Sequence, residues 1–269
     1  MEFVKLNPTS NSTVLVTSRH PVQHYQTIAE QLLRVEHLHA EQIGFVLPPE
    51  SDQAHLRLIM AGGEYCVNAC MALAALHASA RSNVASLDLV LEASGTNEPT
   101  SCRVEPTAMG FRCRMGIASP LQIEPYPFPT QHGGSSLVKF HDSVHLVVEA
   151  PAITQTLRRH ALATAQRLAA SEAASVIGVM LYNPTENAIV PLVNVPAVGS
   201  MIWEGSCGSG TAALGAFLAA RCRQSVSLSV RQPGGSLHVA ASYRAGAVTD
   251  LQVTGEVTIV AEGKAYVHV

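Results

Sequence analysis

The sequence predicts an α+β fold of two pseudo-symmetric halves, each a curled β-sheet or barrel around a central helix. Three observations carry that expectation. Short strand-like segments rich in Val, Ile, Leu and Thr recur along all 269 residues. Two stretches with helical composition, Asn68–Ala80 and Gly208–Arg221, are apolar almost all round, as a helix buried on every side must be. Each of these follows a cysteine that itself follows a glycine-containing turn, in Gly62-Gly63-Glu64-Tyr65-Cys66 and in Glu204-Gly205-Ser206-Cys207.

In the first half, Glu2–Leu6 and Thr13–Thr17 read as strands around the turn-forming Asn7-Pro8-Thr9-Ser10-Asn11. Pro21 opens a helix through about Leu33, with Ile28, Leu32 and Leu33 on one face. Gln42–Leu47 and His55–Met60 are strands separated by Pro48-Pro49, and the helix after Cys66 leads to strands at Ser86–Glu92, Ser101–Val104 and Gly110–Met115. Composition then shifts. Residues 119–136 carry Pro120, Pro125, Pro127 and Pro129, then Gly133-Gly134, and form the candidate linker between halves 1–118 and 137–269. The second half repeats the order. Strands are expected at Leu137–Phe140 and His145–Glu149, an amphipathic helix at Thr154–Ala170, and strands at Ser175–Tyr182, Ala188–Val193 and Val198–Glu204. After Cys207 and its helix come Val226–Arg231, Ser236–Ser242, Val248–Val253 and Val257–Val260. The repeat lies in the pattern, since the halves share little sequence outside the cysteine stretches.

With 47% hydrophobic and 14% charged residues, the chain must bury much of its length, and disorder is excluded. A net charge of −3 with no run of Lys or Arg excludes a nucleic-acid footprint or a polybasic membrane patch. Met1–Lys5 lacks a signal peptide's apolar core and no apolar run reaches spanning length, so a cytoplasmic protein is expected. There, six cysteines imply free thiols rather than a disulfide scaffold.

A cysteine at a helix start sits where the first N–H groups lack intrahelical partners and the dipole is positive, a place that favours thiolates and anions. Two such cysteines, expected to meet in a cleft between the halves, suit one reaction class. Inverting the α-carbon of an amino acid takes a base on one face and an acid on the other, and thiols can serve as either near neutral pH.

At these residues the chain resembles a known family. Cys66-x-Asn68-Ala69 and Cys207-Gly208-Ser209-Gly210-Thr211 are similar to the paired signatures of the diaminopimelate-epimerase-like superfamily, which are cofactor-independent racemases and epimerases. Pro233–Leu237 and Thr254–Thr258 fit the same superfamily's late strands. Within it the chain most resembles the histidine racemases of staphylopine-type metallophore pathways. That likeness lies in Asn7–Asn11, Glu41–Phe45, Val144-His145, Ile177–Leu181, Ile202–Ala212 and Gly263–Tyr266. The resemblance implies a homodimer with a small amino-acid substrate, no cofactor and no metal. It implies Cys66 and Cys207 as the acid–base pair, and Glu41 and Glu204 as carboxylates that contact the substrate ammonium or tune the thiols. Asn11, Val67, Asn68, His145, Gly208 and Ser209 are implied as further substrate-binding positions. One departure is Val67, where the superfamily usually has glycine; its side chain narrows the pocket or tilts the first helical turn. Ala61-Gly62-Gly63 and Glu204-Gly205 replace the loops that would hold the distal end of diaminopimelate, which argues against that substrate.

Plainer readings stand beside these. A buried cysteine is ordinarily a small apolar residue, and Cys70, one helical turn after Cys66, is expected in the core rather than on a metal. Cys102 and Cys113 are expected as free thiols facing each other across a hairpin, and Cys222 as structural. Most of the twelve histidines belong on the surface. Trp203 is either core or pocket wall. A pyridoxal enzyme needs a Schiff-base lysine, and neither Lys5, Lys139 nor Lys264 pairs with a phosphate-binding turn. The expected function is cofactor-independent racemisation of histidine for opine-type metallophore synthesis. The alternatives are racemisation of another amino acid, diaminopimelate included, or non-catalytic binding of a small molecule on the same fold.

Overall fold

The structure, a computed structural model, describes residues 1–81, 84–129 and 134–268. It divides into two compact units, Met1–Met115 with Thr254–Val269, and Gly116–Val253. The chain end expected in the second half therefore belongs in part to the first.

In the first unit, β1 (Glu2–Pro8) and β2 (Thr13–Val16) form an antiparallel pair, and α1 (Tyr25–Leu32) crosses over to β3 (Gln42–Leu47), parallel to β2. β4 (Leu56–Met60) returns antiparallel to β3. Then α2 (Val67–Ser79) crosses to β5 (Leu87–Ala93), parallel to β4, and β6 (Thr100–Pro106) and β7 (Phe111–Ile117) follow as antiparallel neighbours. The last strand, β16 (Ala247–Lys264), neighbours β7 and pairs antiparallel with β1, so eight strands close a ring. The two strands expected at 248–253 and 257–260 are thus one. Gly255 does not interrupt it, and a register shift between Lys5 and Leu6 absorbs the extra residue opposite β1. The helix expected from Pro21 starts instead as a 3₁₀ turn, Val22–His24, before α1. α1 buries Tyr25, Ile28, Ala29 and Leu32 against Val14, Val16, Ile43 and Phe45 outside the ring.

The second unit repeats this connectivity. β9 (Ser135–Lys139) pairs antiparallel with β10 (Ser143–Glu149), and α3 (Gln155–Ser171) crosses to β11 (Val176–Asn183), parallel to β10. β12 (Ala188–Val195) returns, with the short β13 (Ser200–Trp203) on its edge. Then α4 (Gly208–Cys222) crosses to β14 (Val226–Gln232), followed by β15 (Gly235–Arg244) and the start of β16. Within the stretch expected as a linker, β8 (Gln122–Pro125) pairs antiparallel with β9, as the end of β16 pairs with β1. Thr130–Gly133 of that stretch lie outside the described residues.

The central helices explain the strand composition. α2 and α4 are buried on nearly every side, α2 against β1 to β6 and α4 against β9, β10, β11, β14 and β15. Each buried Leu, Met or Phe there contributes about 1.5–3 kcal/mol. β10 and β11 are buried on both faces, because α3 covers one and α4 the other; they accordingly read as largely apolar runs, interrupted in β10 by His145.

Candidate functional site

Each central helix is capped by its cysteine sulfur. Cys66 and Cys207 are N-cap residues in extended conformation, and each sulfur accepts the N–H three residues on, from Ala69 and Gly210, both at 3.3 Å. Serine, threonine or aspartate commonly fills this position; thiols here put the sulfurs at the positive helix ends. Both are buried.

Around Cys66, the thiol donates to Gln42 Oε1 at 2.8 Å. Next to Gln42 on the chain, Glu41 accepts from Asn11 Nδ2 at 3.0 Å. Asn11 is fully buried, and its Oδ1 has no hydrogen-bond partner among the described residues. Burial pushes the Glu41 carboxyl up to about 7, against the pull of the Asn11 amide. Val67 and Asn68 form the buried first turn of α2.

Around Cys207, burial first and the Glu204 carboxylate second push the thiol well above its ordinary value. The Ser209 hydroxyl, 3.5 Å from the sulfur, and the Gly210 N–H pull it down by less. Burial therefore favours the thiol form of Cys207, despite its place at a helix start. Its backbone is clamped from β14. The Cys207 N–H donates to Gln232 Oε1 at 2.8 Å, Gln232 Nε2 donates to Thr211 Oγ1 at 2.8 Å, and the Thr211 hydroxyl donates to the Cys207 carbonyl at 2.6 Å. In a capping box, a Glu or Gln at the third helical position takes the cap residue's N–H. Here that position is Gly210, whose Cβ would lie 2.2 Å from Met180 Sδ, so Gln232 fills the role from another strand.

His145 lies on the α4 side of β10, fully buried, with its ring over Gly178 and 6.2 Å edge-on from Phe140. A Cβ on Gly178 would meet His145 Nδ1 at 2.1 Å, so the ring requires glycine there. Neither ring nitrogen has a hydrogen-bond partner among the described residues, and burial lowers its pKa to about 4, leaving a neutral imidazole. Met180 Cε and Sδ lie against Gly178 and Gly210 respectively, which joins His145 to the Cys207 turn by contact.

In the first unit Val67 and Asn68 follow Cys66 on α2, and Asn11 bonds Glu41, the residue before Gln42; in the second, Glu204, Gly208 and Ser209 flank Cys207, and Met180 joins His145 to its turn. Sequence reasoning missed Gln42 and Gln232, although Gln42 stands inside the Glu41–Phe45 motif. Trp203 packs on the α3 core under the Arg158 guanidinium, 4.5 Å from the ring centre. Cys70, Cys102 and Cys113 are buried free thiols, and Cys113 stands opposite Val104, a diagonal neighbour of Cys102. No group of three metal-ligating side chains occurs among the described residues. A cavity of about 420 Å³ in the second unit is lined by Pro151, Ile153, Asn183, Arg231 and Gln232 among others; Gln232 joins its wall to the Cys207 turn.

Comparisons with known proteins bear on this arrangement. The family model described as "Histidine racemase CntK N-terminal domain" matches residues 1–266. A histidine racemase of Staphylococcus aureus (strain Mu50) is 30% identical over 275 residues, covering 100% of this chain and 98% of that one. One from Fusobacterium nucleatum subsp. nucleatum (strain ATCC 25586) is 26% identical over 269 residues, covering 99% and 97%. Among solved structures, a probable proline racemase from Agrobacterium radiobacter K84 superposes with a TM-score of 0.75 at 10% identity, covering 99% of this chain and 93% of that one. A predicted epimerase from Pseudomonas aeruginosa gives 0.71 at 12% identity, covering 99% of both. At such identities these two show a shared fold.

Proposed function

Because the chain belongs to the histidine racemase family, we propose that it interconverts L- and D-histidine without a cofactor, with Cys66 and Cys207 as base and acid. It is an isomerase. The observation that carries the two-thiol reading is that each unit holds a buried cysteine whose sulfur caps an enclosed helix.

Removing an α-proton leaves negative charge that spreads into the substrate carboxylate. Helix N-termini stabilise such charge with N–H groups already in place. Cys207, held as a thiol by burial and Glu204, is ready to deliver a proton. Cys66, deprotonated, accepts the one removed; turnover in the other direction exchanges the roles. Asn11 Oδ1, an open buried acceptor beside Glu41, suits a substrate ammonium. Val67, Asn68, Gly208 and Ser209 shape the turns that carry the sulfurs, while His145 and Glu204 line the Cys207 side. The neutral His145 ring can donate or accept one hydrogen bond but does not carry charge near neutral pH. The finer reading is a cytoplasmic homodimer supplying D-histidine to an opine-type metallophore; the motif resemblance supports it.

The test is incubation of the pure protein with L-histidine in heavy water, without cofactor. Thiol protons exchange rapidly, so early D-histidine carries deuterium at the α-carbon while remaining L-histidine stays protonated. A panel of other L-amino acids in the same assay reads the substrate. Failure to racemise any of them overturns the proposal. Deuterium entering unreacted substrate as fast as product overturns the two-thiol route.

A further inference from the structure

The geometry points to Gln42 as a positioning residue for Cys66, a neutral carboxamide that partners the sulfur in both of its protonation states. The inference rests on the acid–base role proposed for that thiol. In the structure the Cys66 S–H donates to Gln42 Oε1 at 2.8 Å. A thiol that alternates between acid and base presents a donor in one half of the cycle and a bare acceptor in the other. A carboxylate can receive only from the thiol, and an ammonium can donate only to the thiolate. A carboxamide has a carbonyl for the first and an NH₂ for the second, and rotation about its last bond exchanges them without any change of charge. The proton balance is unaffected: Gln42 neither gains nor loses one as Cys66 takes the α-proton and later returns it.

The internal repeat argues that the fold itself does not require an amide here. Thr13 pairs with Gln42 and Leu15 with Gly44, just as Ser143 pairs with Val176 and His145 with Gly178. The backbone entering each strand matches as well. The Glu41 and Gln42 N–H groups both donate to the Ser12 carbonyl, and those of Ser175 and Val176 both donate to the Asp142 carbonyl. Gln42 therefore occupies the position that a buried valine fills in the second unit. The same first residue of a parallel strand is apolar in the unit whose sulfur lies beside Glu204, and an amide in the unit whose sulfur donates to it.

The experiment uses Gln42→Met, which keeps the volume and removes both hydrogen bonds, and Gln42→Glu, which keeps only the acceptor. In each folded variant, Cys66 and Cys207 are labelled with iodoacetamide near neutral pH and their rates read separately by peptide mass spectrometry. The Cys207 rate is the internal control. Cys66 labelling is expected to fall about tenfold in Gln42→Glu, the effect of one unit of thiol pKa, and at least fivefold in Gln42→Met, with Cys207 within twofold of wild type. Racemisation should lose at least tenfold in kcat in both variants, with KM within twofold. Labelling needs no substrate, so it separates failure of this inference from failure of the racemase reading. Cys66 labelling within twofold of wild type in either variant overturns the inference, as does a kcat within twofold. If one variant does not fold, the other carries the test by the same criteria.

Discussion

The turns at Cys66 and Cys207 share a cap and differ in almost everything around it. Each sulfur accepts the N–H three residues on, at the same 3.3 Å, so the local motif alone accounts for the capping. What else surrounds each cysteine differs. Cys66 meets the neutral Gln42 amide, whereas Cys207 sits beside the Glu204 carboxylate and under a clamp from Gln232. One local motif thus sits in two electrostatic settings, a neutral amide at one sulfur and a carboxylate at the other. A reaction that needs an acid and a base at once can use that difference.

The bluntest way to break the comparison is to remove either sulfur. Cys66→Ala and Cys207→Ala should each lower racemisation by on the order of 10³-fold or more while circular dichroism shows a native fold. A folded variant with near-wild-type rate in chiral chromatography would remove that cysteine from the mechanism.

The two glycines at matching positions of the repeat give the next contrast. Gly178→Ala drives a Cβ into the rigid His145 ring and should cost about 3 kcal/mol in urea unfolding. Gly44→Ala meets the flexible end of Leu58 at 2.7 Å and should cost less. Equal losses would mean that His145 yields as easily as a leucine.

Gln232→Met leaves the buried Cys207 N–H without its acceptor, at a cost of about 1–3 kcal/mol. Thr211→Ser keeps the hydroxyl of the same ring and should stay near wild type. Thermal unfolding that ranks them the other way would locate the clamp elsewhere.

The smallest effects are in pH. Glu41, raised to about 7 by burial, binds its proton more tightly folded than unfolded, so stability falls as pH rises from about 4.5 to about 7. His145, lowered to about 4, acts oppositely: its contribution is complete above about 6.5 and is lost as pH falls towards 4. Glu41→Gln should flatten the first trend and His145→Leu the second, His145→Leu also testing whether the ring merely fills the place that Leu15 fills in the first unit. Urea midpoints across pH 4 to 8 that retain either slope in its variant would assign that titration to another group.

Several features were legible along the chain because they are local. Gly-flanked cysteines before all-apolar runs identify capped, enclosed helices, and the alternation of strand and helix periods shows the repeat and the α+β class. Gln42 stands at the entry of a parallel strand, and nothing in its spacing says that a sulfur lies across from it. The proline-rich stretch read as a linker because proline and glycine usually break structure; yet Gln122–Pro125 finds an edge to pair with, which depends on where β9 lies. The C-terminal strand read as two short ones because strand length is set by available partners, and β16 has different neighbours along its length. Which residues cap a helix is decided within four positions of sequence. Glu204, three residues before Cys207, was likewise within reach of the sequence. Which side chains reach each cysteine from elsewhere, and how deeply each sulfur is buried, was decided only by the tertiary structure, because packing brings Gln42 and Gln232 to them from 24 and 25 residues away.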